Sequence, residues 1–180
     1  MNTAKSISTI SALVVALALP VGAAGDLIYT DAEILGIVGA ANQGELEAAA
    51  LASNKATNGD VKTFAQRMTK DHSDAKRKID EVASKAGLSP TDTDLSGSLT
   101  KSASDEAARL GILNGTAFDG AYIDAQVADH QKLLQEIDKD LTPDAKNESV
   151  RALLRELRPT VAHHLAMARR LQSGQGRTGK

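Results

Sequence analysis

Four separate stretches of this 180-residue chain repeat apolar side chains in steps of four and three, the spacing that keeps one stripe of a helix turned toward a neighbour. The first stripe is Ile34, Val38, Ala41, Glu45, Ala48 and Ala52, and the second Val61, Ala65, Met68, His72, Ala75, Ile79, Val82 and Ala86. The third is Asp119, Ile123, Val127, His130, Leu134, Ile137 and Leu141, and the fourth Val150, Leu154, Leu157, Val161, His164, Ala168 and Leu171. Such seams are incompatible with the period-two alternation of half-buried strands, so the chain must solve its packing as helix on helix.

Punctuation between the stripes sets the expected boundaries. Thr30-Asp31-Ala32-Glu33 has the form of a capping box and starts the first helix; Thr57-Asn58-Gly59 ends it near Ala56. The second helix spans about Asp60 to Ala86, with Gly87 as its stop. From Leu88 to Thr116 the pattern weakens: Ser89 to Asp94 reads as a loop, and a short helix runs from Ser104 to Leu113. Pro143 closes the third long helix after Leu141, and Pro159 is expected to kink the fourth, which begins near Lys146. Two tight turns and one long connection predict an all-α, ferritin-like four-helix bundle over residues 25–172, with a long crossover containing a short extra helix. The polar, Gly-rich tail at 173–180 is expected to be disordered.

Residues 1–24 are of a different composition. Lys5 precedes an apolar run from Ile10 to Leu19, and Pro20-Val21-Gly22-Ala23-Ala24 forms a small-residue exit, the pattern of a cleaved secretory signal. The competing reading is a retained membrane anchor, but the run is shorter than the roughly 20 residues of a spanning helix, which favours cleavage and no transmembrane span in the mature chain. The protein is therefore expected to be exported, to the periplasm or to an outer-membrane-associated position. Absence of cysteine excludes a lipid anchor on that residue, disulfides and thiolate metal ligands. Net charge is −2, becoming −3 once Lys5 is lost with the leader, and aromatics make up 2% of the chain, which argues against a nucleic-acid partner. Arg151, Arg155 and Arg158 form a basic line compatible with peripheral envelope association, although Glu148 and Glu156 beside them favour an ordinary solvated face.

Each seam carries one ionisable residue near its middle: Glu45, His72, His130 and His164. With the second and third long helices parallel, His72 and His130 each stand about 20 Å from the same end of the bundle and Glu45 about 18 Å, at the helical rise. His164 comes to about 12 Å if its helix stops near Gln172, which would place it nearer Asp119 or Met68. Buried ionisable groups must satisfy one another, a water or an ion. One reading is a hydrogen-bonded layer that fixes register; another is a metal site, since ligands converging from separate helices are how bundle metal sites are built. Copper or zinc is possible, and imidazole with a nearby thioether such as Met68, one turn before His72, would suit copper; di-iron is disfavoured because no Glu-x-x-His is present. The function classes left open are an envelope protein binding a metal ion or small ligand, a redox or hydrolytic enzyme using the same cluster, and a purely structural, stress-related envelope protein. No nucleophile elbow, zinc-protease or phosphate-loop motif occurs.

Three motifs then combine: Val61-Lys62-x-Phe64-Ala65-x-x-Met68-x-x-Asp71-His72, next Gly115-x-x-Phe118-Asp119-x-x-Tyr122-Ile123 leading to Asp129-His130, and last Pro159-x-x-x-x-His164-Leu165-x-x-Ala168. Over about Asp31 to Leu171 the chain resembles the exported bacterial proteins grouped as domain of unknown function 4142, a ferritin-like family. The resemblance implies a helical bundle outside the cytoplasm and, since the family brings no established activity, no catalytic residue.

Overall fold

A computed structural model describes residues 28–178, with side chains described through residue 174; the expected leader lies outside the described residues. Among them every regular element is helical: α1 (Asp31–Lys55), α2 (Gly59–Ala86), α3 (Asp94–Gly111), α4 (Gly115–Glu136), a π-helical turn (Ile137–Leu141), the single turn α5 (Thr142–Asp144) and α6 (Glu148–Thr178). Five of these are long. None is both long and apolar enough to cross a membrane.

The ends form where local chemistry directs them. Thr30 accepts from the Glu33 amide while the Glu33 carboxylate accepts from the Thr30 amide at 2.8 Å, completing the expected capping box. Asn58 caps α2 through the amides of Asp60 and Val61, and Gly87 ends it at φ +64. Pro159 sits inside α6 on its exposed side without ending the helix. Pro143 does not stop the helical path at Leu141; a widened π turn carries it on to Asp144.

The crossover departs most from expectation. Its helix begins at Asp94 rather than Ser104, because Thr93 and Ser96 cap one another: the Ser96 amide donates to Thr93 Oγ at 3.0 Å, and the Thr93 amide to Ser96 Oγ at 2.8 Å. Leu95, Leu99 and Leu110 then face the interior. Backbone contact replaces side-chain packing at two glycines of α1. A Cβ on Gly36 would lie 2.1 Å from the Thr91 carbonyl oxygen, and one on Gly44 would lie 2.7 Å from Ala103 Cβ, so α3 and its approach loop rest directly on α1.

Two apolar clusters fill the interior. One joins Ile34, Val38, Ile79, Ile137, Leu154 and Val161, and the other Ala52, Met68, Phe64, Phe118, Ile123 and Ala168. The first holds the start of α1 and α6 with the end of α2 and α4; the second holds their opposite ends. Thus α2 and α4 run parallel to each other and antiparallel to α1 and α6, while α3 returns the chain from one end to the other. Between the clusters lies a buried polar layer: Asn42, Glu45, His72, Gln126, His130 and His164.

Candidate metal centre

Helices α1, α2, α4 and α6 each reach this layer through a seam position. His72 of α2, His130 of α4 and His164 of α6 put their ring centroids 5.9, 5.3 and 5.3 Å apart, pair by pair. One ring nitrogen from each lies within 4.8 Å of the other two. All three residues are at least 95% buried.

The outward nitrogen of every ring is anchored to an oxygen. His72 Nδ1 donates to Asn42 Oδ1 at 2.9 Å, and Asn42 is itself oriented because its Nδ2 donates to the His72 carbonyl at 3.0 Å. His130 Nδ1 donates to the Gln126 carbonyl at 3.0 Å, and His164 Nε2 to Asp71 Oδ2 at 3.0 Å. Asp71 is in turn held by Arg67. The opposite nitrogens, His72 Nε2, His130 Nε2 and His164 Nδ1, are buried without a protein partner.

Those outer bonds spend the single N–H of each neutral ring, so the inner nitrogens carry lone pairs. Neutrality follows from burial. Desolvation, reinforced by the two neighbouring rings, lowers His72 to about 3; desolvation also lowers His130 to about 4, against the pull of the Gln126 carbonyl. His164 is lowered by the same desolvation, opposed by Asp71. A hydrogen-bonded layer fixing register would pair N–H groups with lone pairs between rings, whereas here donors point out and acceptors point in. One water donates only two hydrogen bonds and leaves a third acceptor bare; a cation satisfies all three. Were an ion bound here, His72 Nε2, His130 Nε2 and His164 Nδ1 would be the atoms that hold it.

Glu45 stands on the outer side of His130, its Oε1 3.5 Å from Nδ1, while Gln126 Nε2 donates to its Oε2 at 2.7 Å. Burial pushes the Glu45 carboxyl up to about 8, partly offset by the Gln126 bond. Between the lowered His130 and the raised Glu45, both groups are neutral near pH 7, and their contact is not an ion pair. Glu45 also lines a groove of about 110 Å³ between α1, α3 and α4, with Glu106 and Asp129 beside it. Burial raises both of these acids, and Asp129 adds to the push that takes Glu106 to about 8.

The structure brings together all four residues singled out in the seams. His164 stands level with the other two histidines rather than one or two turns away, because α6 does not stop at Gln172 but continues to Thr178. Asp119 is not its neighbour: that carboxylate accepts from the amides of Thr57 and Asn58 and from the Thr57 hydroxyl at the α1–α2 turn. Met68 packs in the apolar cluster at the same end. Asn42, Gln126 and Asp71, the anchors of the rings, escaped the seam reading. Their one local signal is a polar residue within a turn of a seam histidine or glutamate.

Fold and site together define an all-α protein with a buried three-histidine cluster. The chain belongs to the family described as Domain of unknown function (DUF4142), whose sequence model matches residues 16–171. Neither the curated proteins nor the solved structures contain a match.

Proposed function

We propose that this chain is an exported protein of the periplasm or outer-membrane surface that holds one first-row transition metal ion, copper or zinc, on His72, His130 and His164. In this reading α1, α2, α4 and α6 are a ferritin-like four-helix bundle with α3 as its crossover, and Glu45 is the neighbouring carboxylate that offsets the cation's charge. The observation that carries it is the orientation of the rings: three outward N–H groups anchored on oxygen and three inward lone pairs with no protein partner. Imidazole donors without thiolate suit copper and zinc, and a sequence without Glu-x-x-His does not supply a di-iron site. A cavity that reaches His72 and His164 favours a reactive centre over a closed structural one.

Elemental analysis of protein purified without chelator is the direct test, with about one equivalent of copper or zinc expected. Added metal should raise the melting temperature, by about 2.7 kcal/mol of stabilisation at a free concentration one hundred times the Kd, and His72→Ala should lose both effects. Wild-type protein that carries no metal and shows no metal-dependent shift refutes the reading.

A further inference from the structure

Asparagine is followed by glycine at two places in the chain, Asn58-Gly59 and Asn114-Gly115, and each glycine is the first residue of a long helix. The dipeptide is prone to cyclise, because glycine puts no side chain in the way when its own amide nitrogen attacks the neighbouring side-chain carbonyl. In both pairs that amide is among the first of its helix and has no intrahelical acceptor. Sequence alone makes the two sites equal, and the tertiary structure separates them.

Asn58 is tied down at three points. Its Oδ1 accepts from the amides of Asp60 and Val61 at 2.8 and 3.3 Å, its own amide donates to Asp119 at 2.9 Å, and its carbonyl takes the Lys62 amide at 3.0 Å. Asn114 is exposed, its side chain makes no cap bond, and its carbonyl holds the Phe118 amide at the longer distance of 3.4 Å. Gly115 has φ +58, and the space where a side chain would stand is open to beyond 4 Å.

We propose that Asn114 is a self-modifying site, converted in the folded protein through a cyclic imide to aspartate and isoaspartate, while Asn58 is protected. The Gly115 nitrogen gives up its proton to water and bonds to the Asn114 side-chain carbonyl carbon, and the side-chain amide nitrogen leaves as ammonia with a proton from water. A second water opens the ring: addition at the side-chain carbonyl gives aspartate, and addition at the main-chain carbonyl gives isoaspartate, with nothing oxidised or reduced. The aspartate product puts a negative charge at the start of α4, whose first turn holds no acid, where the helix dipole favours it and where a carboxylate supplies the missing cap.

The test incubates the full chain at mildly alkaline pH, folded and in urea, and follows both asparagines by peptide mapping with mass spectrometry. Freeing the Asn58 side chain means breaking its cap first, so Asn114 should convert about fivefold faster or more in the folded protein. In urea the two rates should converge, and Asn114→Gln should remove the faster conversion. An Asn58 that converts as fast as Asn114 in the folded protein overturns the proposal, as does an Asn114 that stays intact there while converting in urea. A rate difference of the same size in urea overturns it too, because the fold would then not be its cause.

Discussion

Glu45→Gln is the perturbation whose outcome the structure specifies most closely. The carboxyl is buried beside His130 and raised from 4.5 to about 8, chiefly by desolvation. In the unfolded chain it ionises at its ordinary value, so the folded state binds the extra proton between those limits. The stability this group contributes is complete below 4.5 and is lost as pH rises toward 8. At about 1.4 kcal/mol per unit, the loss is about 1 kcal/mol at pH 5 and about 4 kcal/mol at pH 7.5. Glutamine cannot ionise, and its side-chain carbonyl still accepts from Gln126 Nε2. Metal-free Glu45→Gln should therefore be more stable than wild type by an amount that grows by about 3 kcal/mol between pH 5 and pH 7.5. Urea unfolding followed by circular dichroism, with chelator present, measures the difference at both values; the remaining titratable groups are common to the two proteins and cancel. The same difference at both pH values refutes the account of Glu45 as a buried neutral acid. With metal on His130 the adjacent carboxylate becomes a favourable counter-charge, so the advantage of the variant should shrink in loaded protein.

Asp71→Asn removes the charged acceptor that orients His164 and should weaken metal affinity by about 10- to 100-fold, read by competition with a chromophoric chelator; unchanged affinity would separate Asp71 from the centre. Asp119→Ala strands the amides of Thr57 and Asn58 at the α1–α2 turn and should cost about 3 kcal/mol in urea unfolding, with metal content per folded chain unaffected. Gly36→Ala places a Cβ 2.1 Å from the Thr91 carbonyl oxygen and forces the loop before α3 off α1. A loss of about 1–3 kcal/mol is expected in the same assay, and a melt indistinguishable from wild type would mean that the loop is not seated as described.

Helical period and caps were readable residue by residue, because both depend on neighbours within about a turn. The seams of α1, α2, α4 and α6 place Glu45, His72, His130 and His164 on inward faces from spacing alone, and each is buried. The crossover was only half readable: Gly97 and a run of serines obscured Leu95 and Leu99, so the start of α3 rested on a Thr93–Ser96 cap between two small hydroxyl residues. Which residue completes which histidine was not in the sequence. Asp71 is bonded in sequence to His72 yet serves His164, 93 positions away, because adjacent side chains on a helix point about 100° apart while a facing helix brings a distant residue to the same spot. Asp119 sits on a seam like the others but is spent on the α1–α2 turn. Local periodicity, in short, determines which face of each helix turns inward. The direction in which each ring presents its lone pair depends on the rotation and height of helices packed from separate parts of the chain, and only their tertiary arrangement sets those.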